Sequence, residues 1–313
     1  MKKIIKNLSA FLFFCILCIC LMLYPANCLV YSLTGLNLWF QKMIPALFPF
    51  MVLSGIMIRM NLTSKFSSFL KPLFYPLFKI NNDGLFAIVA GFLFGFPMGA
   101  RIIADLYGRN RLSKSEASYL LTFCNNIGPI YFLSFVLPTI RLQAVLPYLI
   151  GMYGLPFAYG ILLRRTLYKN QITASDNCKP SGHTAPAVKA VGFLQALDDS
   201  IVSGLDGISK LGGYMIFFNL LNILPNILLP GLKYAAIINA LLEITSGINI
   251  MGDSNPLAVL LILPFGGLSC IAQTYGVIKE TDLSISQYVL HKLILTGLTG
   301  IYYIILLSRF SPA

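Results

Sequence analysis

Polar side chains interrupt apolar stretches of this chain at Arg101, Asp105, Asn125, Asn126, Glu243 and Gln273. Arg101 and Asp105 are four residues apart, so one helix face can carry both charges. Inside a bilayer such charges face the protein interior or water; at the interface the same pair would be an ordinary surface contact. Asn125 and Asn126, in the stretch CNNIGP, offer donors and acceptors together. They suit recognition of a neutral polar solute, or else they cap helices and shape a turn. Glu243, in ALLEITSGINI, is the acid most isolated among apolar neighbours. It can bind a cation, take a proton, contact a solute, or cap an adjacent helix break. Gln273, in SCIAQTYG, is a site amide or a hydrogen-bonding link between helices.

No other chemistry is legible. The chain has no Walker-type loop, HExxH, GxSxG or carboxylate pair with an attendant histidine. His183 and His291 are far apart, and the seven cysteines contain no CxxC…CxxC pairing. The expectation is a protein that is not an enzyme, with no catalytic residue, metal site or cofactor.

These side chains need elements to hold them, and the elements are broken in telling places. GFLFGFPMGARIIADLYGRN begins as an apolar span and is interrupted at Gly95, Pro97 and Gly99. A second interruption follows Pro264, at Gly266 and Gly267. Proline lacks an amide hydrogen and clashes with the preceding turn, and glycine permits sharp turning and close backbone approach. In hydrocarbon, non-helical backbone persists only where protein buries it or where it lines a cavity. Two interrupted spans in separate halves of a chain therefore point to a transporter-type site near the midplane. The plain alternative is two kinks whose small residues let helices pack closely.

Composition agrees with a membrane setting. The 313 residues are 57% hydrophobic and 11% charged, against about 25% charged in soluble domains, and the mean hydropathy is +0.78. The net charge of +12 lies in short stretches between apolar runs, which favours positive-inside loops over nucleic-acid binding. Apolar runs predict an all-α polytopic protein of about eight membrane segments, some of them half-helices or re-entrant hairpins. The basic, apolar N-terminus reads as an uncleaved first helix starting in the cytoplasm. Residues 61–80 mix lysines with aromatics and read as an interfacial amphipathic segment or a loop. The expected organisation is an anchor over 1–30, a first repeat over 31–163, a basic cytoplasmic linker over 164–192 and a second repeat over 193–313. The repeat is registered by matching 96–116 with 265–287, each with a polar turn and then a Ser capping signal. Residues 31–60 and 193–222 correspond more loosely.

GFLFGFPMGARIIADLY followed by LLTFCNNIGP resembles the signature of the sporulation integral membrane proteins of the YlbJ type. IPALFPF near the start, and LLEITSG and PFGGLSCIAQ in the second half, fit the same likeness, which covers roughly residues 30–305. The resemblance implies membership of the nucleoside-recognition Gate group, which includes spore maturation proteins, nucleoside transporters and the ferrous-iron permease FeoB. It implies a multi-pass protein of the bacterial cell membrane or a forespore membrane that moves or recognises a small polar solute. The other reading is a non-transporting scaffold of the spore envelope. The bilayer, a small polar solute and either a second copy or a sporulation membrane complex are the expected partners; nucleic acid is not.

Overall fold

A computed structural model of the chain describes residues 2–141, 145–172, 192–228, 235–252 and 254–310. Most of the predicted linker lies outside the described residues. The described residues form helices and no strand. In chain order they are α1 Lys2–Leu23, α2 Pro25–Arg59, α3 Thr63–Phe78, α4 Asn82–Phe94, α5 Met98–Gly108 and α6 Lys114–Leu121. There follow α7 Pro129–Ile140, α8 Val145–Arg165 and α9 Phe193–Ile227, then α10 Ala235–Leu242, α11 Ile244–Met251, α12 Pro256–Ile262, α13 Gly267–Ile278 and α14 Ile285–Phe310.

Five helical stretches are long and apolar enough to cross a membrane: α2, α8, α9, α12 with α13, and α14. The pair α3–α4 is bent by 91° and would make a sixth if it were one span. Its hydrogen bonds give α4 a different partner. The Asn81 side chain caps α4 through Gly84 N (2.7 Å) and donates to the Arg111 carbonyl just beyond α5 (3.2 Å). Arg111 Nε donates to Asp83 Oδ2 at 2.8 Å. Both ends of α4–α5 therefore meet, and the two helices fold back at 95–97 as a helical hairpin. Arg111 also binds the Ile58 carbonyl (3.0 Å) and Asn61 Oδ1 (3.1 Å), which ties the hairpin base to the end of α2.

A second hairpin enters from the other end. Helices α10 and α11 have eight residues each, about 12 Å at 1.5 Å per residue, too short for a hydrocarbon core of about 30 Å. They fold against each other at Glu243, and a Cβ on Gly247 would overlap the Ala240 backbone. The base of the first hairpin lies with Arg59, Lys79, Arg109, Lys114, Arg164 and Lys279 at one basic end of the bundle. The second hairpin is based at the opposite end. There Cys20, Cys28 and Ile223 cluster, and Tyr302 donates to the Pro147 carbonyl at 2.9 Å.

Long helices α2 and α9 cross antiparallel through small residues. Gly35 abuts the Met215–Ile216 backbone, Gly212 takes the Trp39 ring, Gly204 meets Phe48 and Gly55 meets Ser200. Trp39 Nε1 donates to the Ile208 carbonyl at 2.8 Å, where α2 has a π turn over Trp39–Met43.

The expected repeat register does not hold. It matched 95–99 with 264–267, but the first break is a hairpin tip. The second is a kink inside α12–α13, which together form one span over Pro256–Ile278. Helices α6 and α7 are separated by a non-helical stretch over 122–128.

Candidate functional site

Three glycines four residues apart make the first tip possible. A Cβ on Gly91 or Gly99 would overlap the Cys124 carbonyl, and one on Gly95 would overlap Gly128 N. The 124–128 segment therefore lies in the fork of the hairpin, touching both arms and the tip. That is why FGFPMG and CNNIGP need each other. Gly95 has φ +81°, a conformation glycine adopts without strain. Gly266 and Gly267, both at φ +79°, serve the second break. Gly266 lies against the Phe96 ring, and Gly267 against the Ala240 and Leu241 carbonyls. Both tips and both span breaks therefore converge.

Where they meet there is a cavity of about 90 Å³. Phe94 and Phe96 come from the first tip, Glu243 and Thr245 from the second, Ile127 and Gly128 from the first span break, and Leu263 and Gly266 from the second. Helices α2 and α9 close its sides with Leu47, Phe50, Leu211 and Met215. Glu243 is 2% exposed. Its Oε2 accepts from Ser246 N at 2.8 Å, so it caps α11 and faces the cavity at once. Tyr131 also lines the cavity, beside Thr245, and its buried hydroxyl meets no close hydrogen-bond partner among the described residues.

Gln273 lines this chamber too, with Nε2 donating to Ser269 Oγ at 2.9 Å. It also lines a second cavity of about 290 Å³, which holds Arg101 and Asp105 together with Asp206, Lys210, Tyr214 and Glu280. Arg101 and Asp105 are not ion-paired among the described residues. Arg101 Nη2 reaches across to α9, to the Ser203 carbonyl (2.5 Å) and hydroxyl (2.8 Å). The guanidinium occupies the space a side chain at Gly207 would need. The bidentate ion pair of α4–α5 is instead the half-buried Arg111–Asp83, 28 residues apart.

Asn125 and Asn126 do not line the chamber. Asn125, 0% exposed, accepts from Ala100 N (3.3 Å) at the start of α5 and donates to Thr274 Oγ1 (3.0 Å) and Tyr288 Oη (3.1 Å). It joins the first tip to α13 and α14. Asn126 donates to the Phe123 carbonyl and accepts from Lys292 Nζ at 2.9 Å. Lys292, 1% exposed inside the apolar helix α14, is a buried charge beyond the six expected polar positions. Its ammonium lies 4.5 Å from the centroid of Phe96, directly behind the chamber wall. The signal was present, a lysine inside YVLHKLIL, where an intramembrane charge marks a site by default.

The chain is 24% identical over 333 aligned residues, covering 95% of its own length and 81% of the relative, to "Sporulation integral membrane protein YlbJ" of Bacillus subtilis (strain 168). Nearly the whole chain is therefore similar to a YlbJ protein. No family model and no solved structure matches it. Like the Bacillus subtilis protein, this YlbJ relative is an integral membrane protein, here with several spans.

Proposed function

We propose that this protein is a Gate-type transporter that moves a small polar solute across a membrane of the developing spore. One observation carries the reading: two re-entrant tips and two span breaks converge on one internal chamber containing a buried acid. Tips of this kind present backbone groups to a solute at the point where two halves of a protein can rock against each other.

The element order supports the same reading. Helix α2, the hairpin α4–α5, the broken span α6–α7 and α8 have counterparts in α9, the hairpin α10–α11, the kinked span α12–α13 and α14. The hairpins enter from opposite ends, and α2 and α9 run antiparallel, as an inverted repeat requires. This division keeps the expected repeats, over 31–163 and 193–313, with a corrected register. The positive-inside rule assigns the basic end to the cytoplasm.

The test is a thermal-shift screen of purified protein against nucleosides, divalent metal ions and dipicolinate, followed by flux in proteoliposomes with any compound that stabilises it. The reading predicts a hit that Glu243→Gln abolishes, with insertion and expression unchanged. A scaffold role draws on one specific observation, the fully bonded Asn125 at a junction of three elements. It predicts no flux and the loss of a membrane partner in the variant.

A further inference from the structure

The two cavities share two lining residues, Leu211 of α9 and Gln273 of α13. On one side of them lies the mostly apolar chamber. On the other lies the larger cavity, lined mainly by α5, α9 and α13, with Met51 of α2. These supply Arg101 and Asp105 from α5, Ser203, Asp206 and Lys210 from α9, and Gly276 from α13, with Glu280 just beyond its end. Along α9 and α13 these residues lie on the basic-end side of Leu211 and Gln273, so the larger cavity lies between the chamber and that end.

We propose that the larger cavity is the vestibule of the solute path and that Leu211 and Gln273 form the constriction between it and the chamber. This deepens the transporter reading and rests on it. The two residues divide the work by chemistry. The Leu211 side chain closes the space without offering a hydrogen bond. Gln273 presents an amide to both sides while Ser269 Oγ holds its Nε2. Gln273 is 6% exposed and has donors and acceptors to exchange with a passing solute. Gly276, opposite, is held close to the Tyr214 hydroxyl, and a Cβ there would lie 2.7 Å from it. Tyr214 and Gly276 therefore shape the vestibule just outside the constriction. Arg101, anchored on Ser203 and fitted against Gly207, and Asp105 give the vestibule both signs of charge, so a solute meets polar groups before it reaches the apolar chamber.

A native reporter lies beyond the constriction, because Cys270 lines the chamber and not the vestibule. Full-length protein in sealed vesicles of known orientation is treated with 2-(trimethylammonium)ethyl methanethiosulfonate, and modification of Cys270 is followed by mass spectrometry. The proposal predicts modification from the basic end. Leu211→Ala and, separately, Gln273→Ala each raise its rate about tenfold, equivalent to a barrier lower by ~1.4 kcal/mol. Leu211→Trp suppresses it. Size-exclusion profiles identify a variant that misfolds, and Gln273→Ala, which removes less packing than Leu211→Ala, serves as the second probe. Equal rates in all variants, or modification only from the opposite end, overturn the vestibule and the constriction. The flux assay is independent of this result, so solute flux with equal Cys270 rates would leave the transporter reading standing without this route.

Discussion

At the residue scale, the polar side chains legible in the sequence separate into two kinds. Glu243 and Gln273 face cavities, whereas Asn125 and Asn126 spend their bonding capacity on the protein itself. Their variants should differ accordingly. Asn125→Ala leaves Ala100 N, Thr274 and Tyr288 short of a partner in a dry interior, at about 1–3 kcal/mol for each unsatisfied group. It should lower the thermal midpoint in detergent whether or not ligand is present. Glu243→Gln keeps an oxygen able to accept from Ser246 N, so its midpoint should stay near wild type while ligand binding is lost. Gly207→Ala tests the placement of Arg101. Overpacking of this kind costs about 1–3 kcal/mol, and a double variant Gly207→Ala, Arg101→Ala should recover most of the lost midpoint. An Arg101 lying elsewhere would give no recovery. The sequence could mark these residues as unusual, but a glutamate that caps and a glutamate that binds look alike until the neighbouring backbone is known.

At the scale of elements, helix breaks were readable because glycine and proline have few other uses in an apolar run. Which kind of break each was could not be read. A tip and a kink have the same local composition. The difference is made by contacts far along the chain, such as Asn81 with Arg111 or Gly247 with Ala240. The same reason hid the Arg111–Asp83 pair: an i,i+4 spacing is visible in a sequence and a 28-residue one is not. Arg111→Ala removes a half-buried bidentate partner and the link from the hairpin base to α2. By analogy with broken buried pairs it should cost about 3 kcal/mol, read as a loss of folded protein in detergent. Arg101→Ala should cost much less. A fainter clip joins the two polar turns at the basic end, where Asp282 accepts from Tyr107 Oη (2.6 Å) and pairs with Lys114 (2.7 Å). Hydrogen bonds from Lys114 and then Tyr107 hold the Asp282 carboxyl below its ordinary range. A lowered carboxylate stabilises the fold above its unfolded-state value and loses that contribution as pH falls through the folded value. The stability difference between wild type and Asp282→Asn should therefore shrink on acidification below about pH 4.

At the scale of the whole molecule, composition alone indicates an all-α membrane protein, and the helices bear that out. The count of about eight segments anticipated both full spans and half-helices, and the bundle contains both. The two interrupted regions flanking a basic linker were visible. The register was not, because apolar segments resemble one another and only the path of the backbone tells a through-span from a returning hairpin. The account stands on that path: one hairpin based at the basic end, the other at the opposite end, with tips that meet at the chamber. Side-specific labelling of single cysteines in sealed vesicles reads it directly. Asn82→Cys and Gly108→Cys should both react from the basic end, and Ala235→Cys and Ser254→Cys should both react from the other. If Asn82→Cys and Gly108→Cys react from opposite sides, α4–α5 is a through-span, the tips do not meet, and the central chamber is lost.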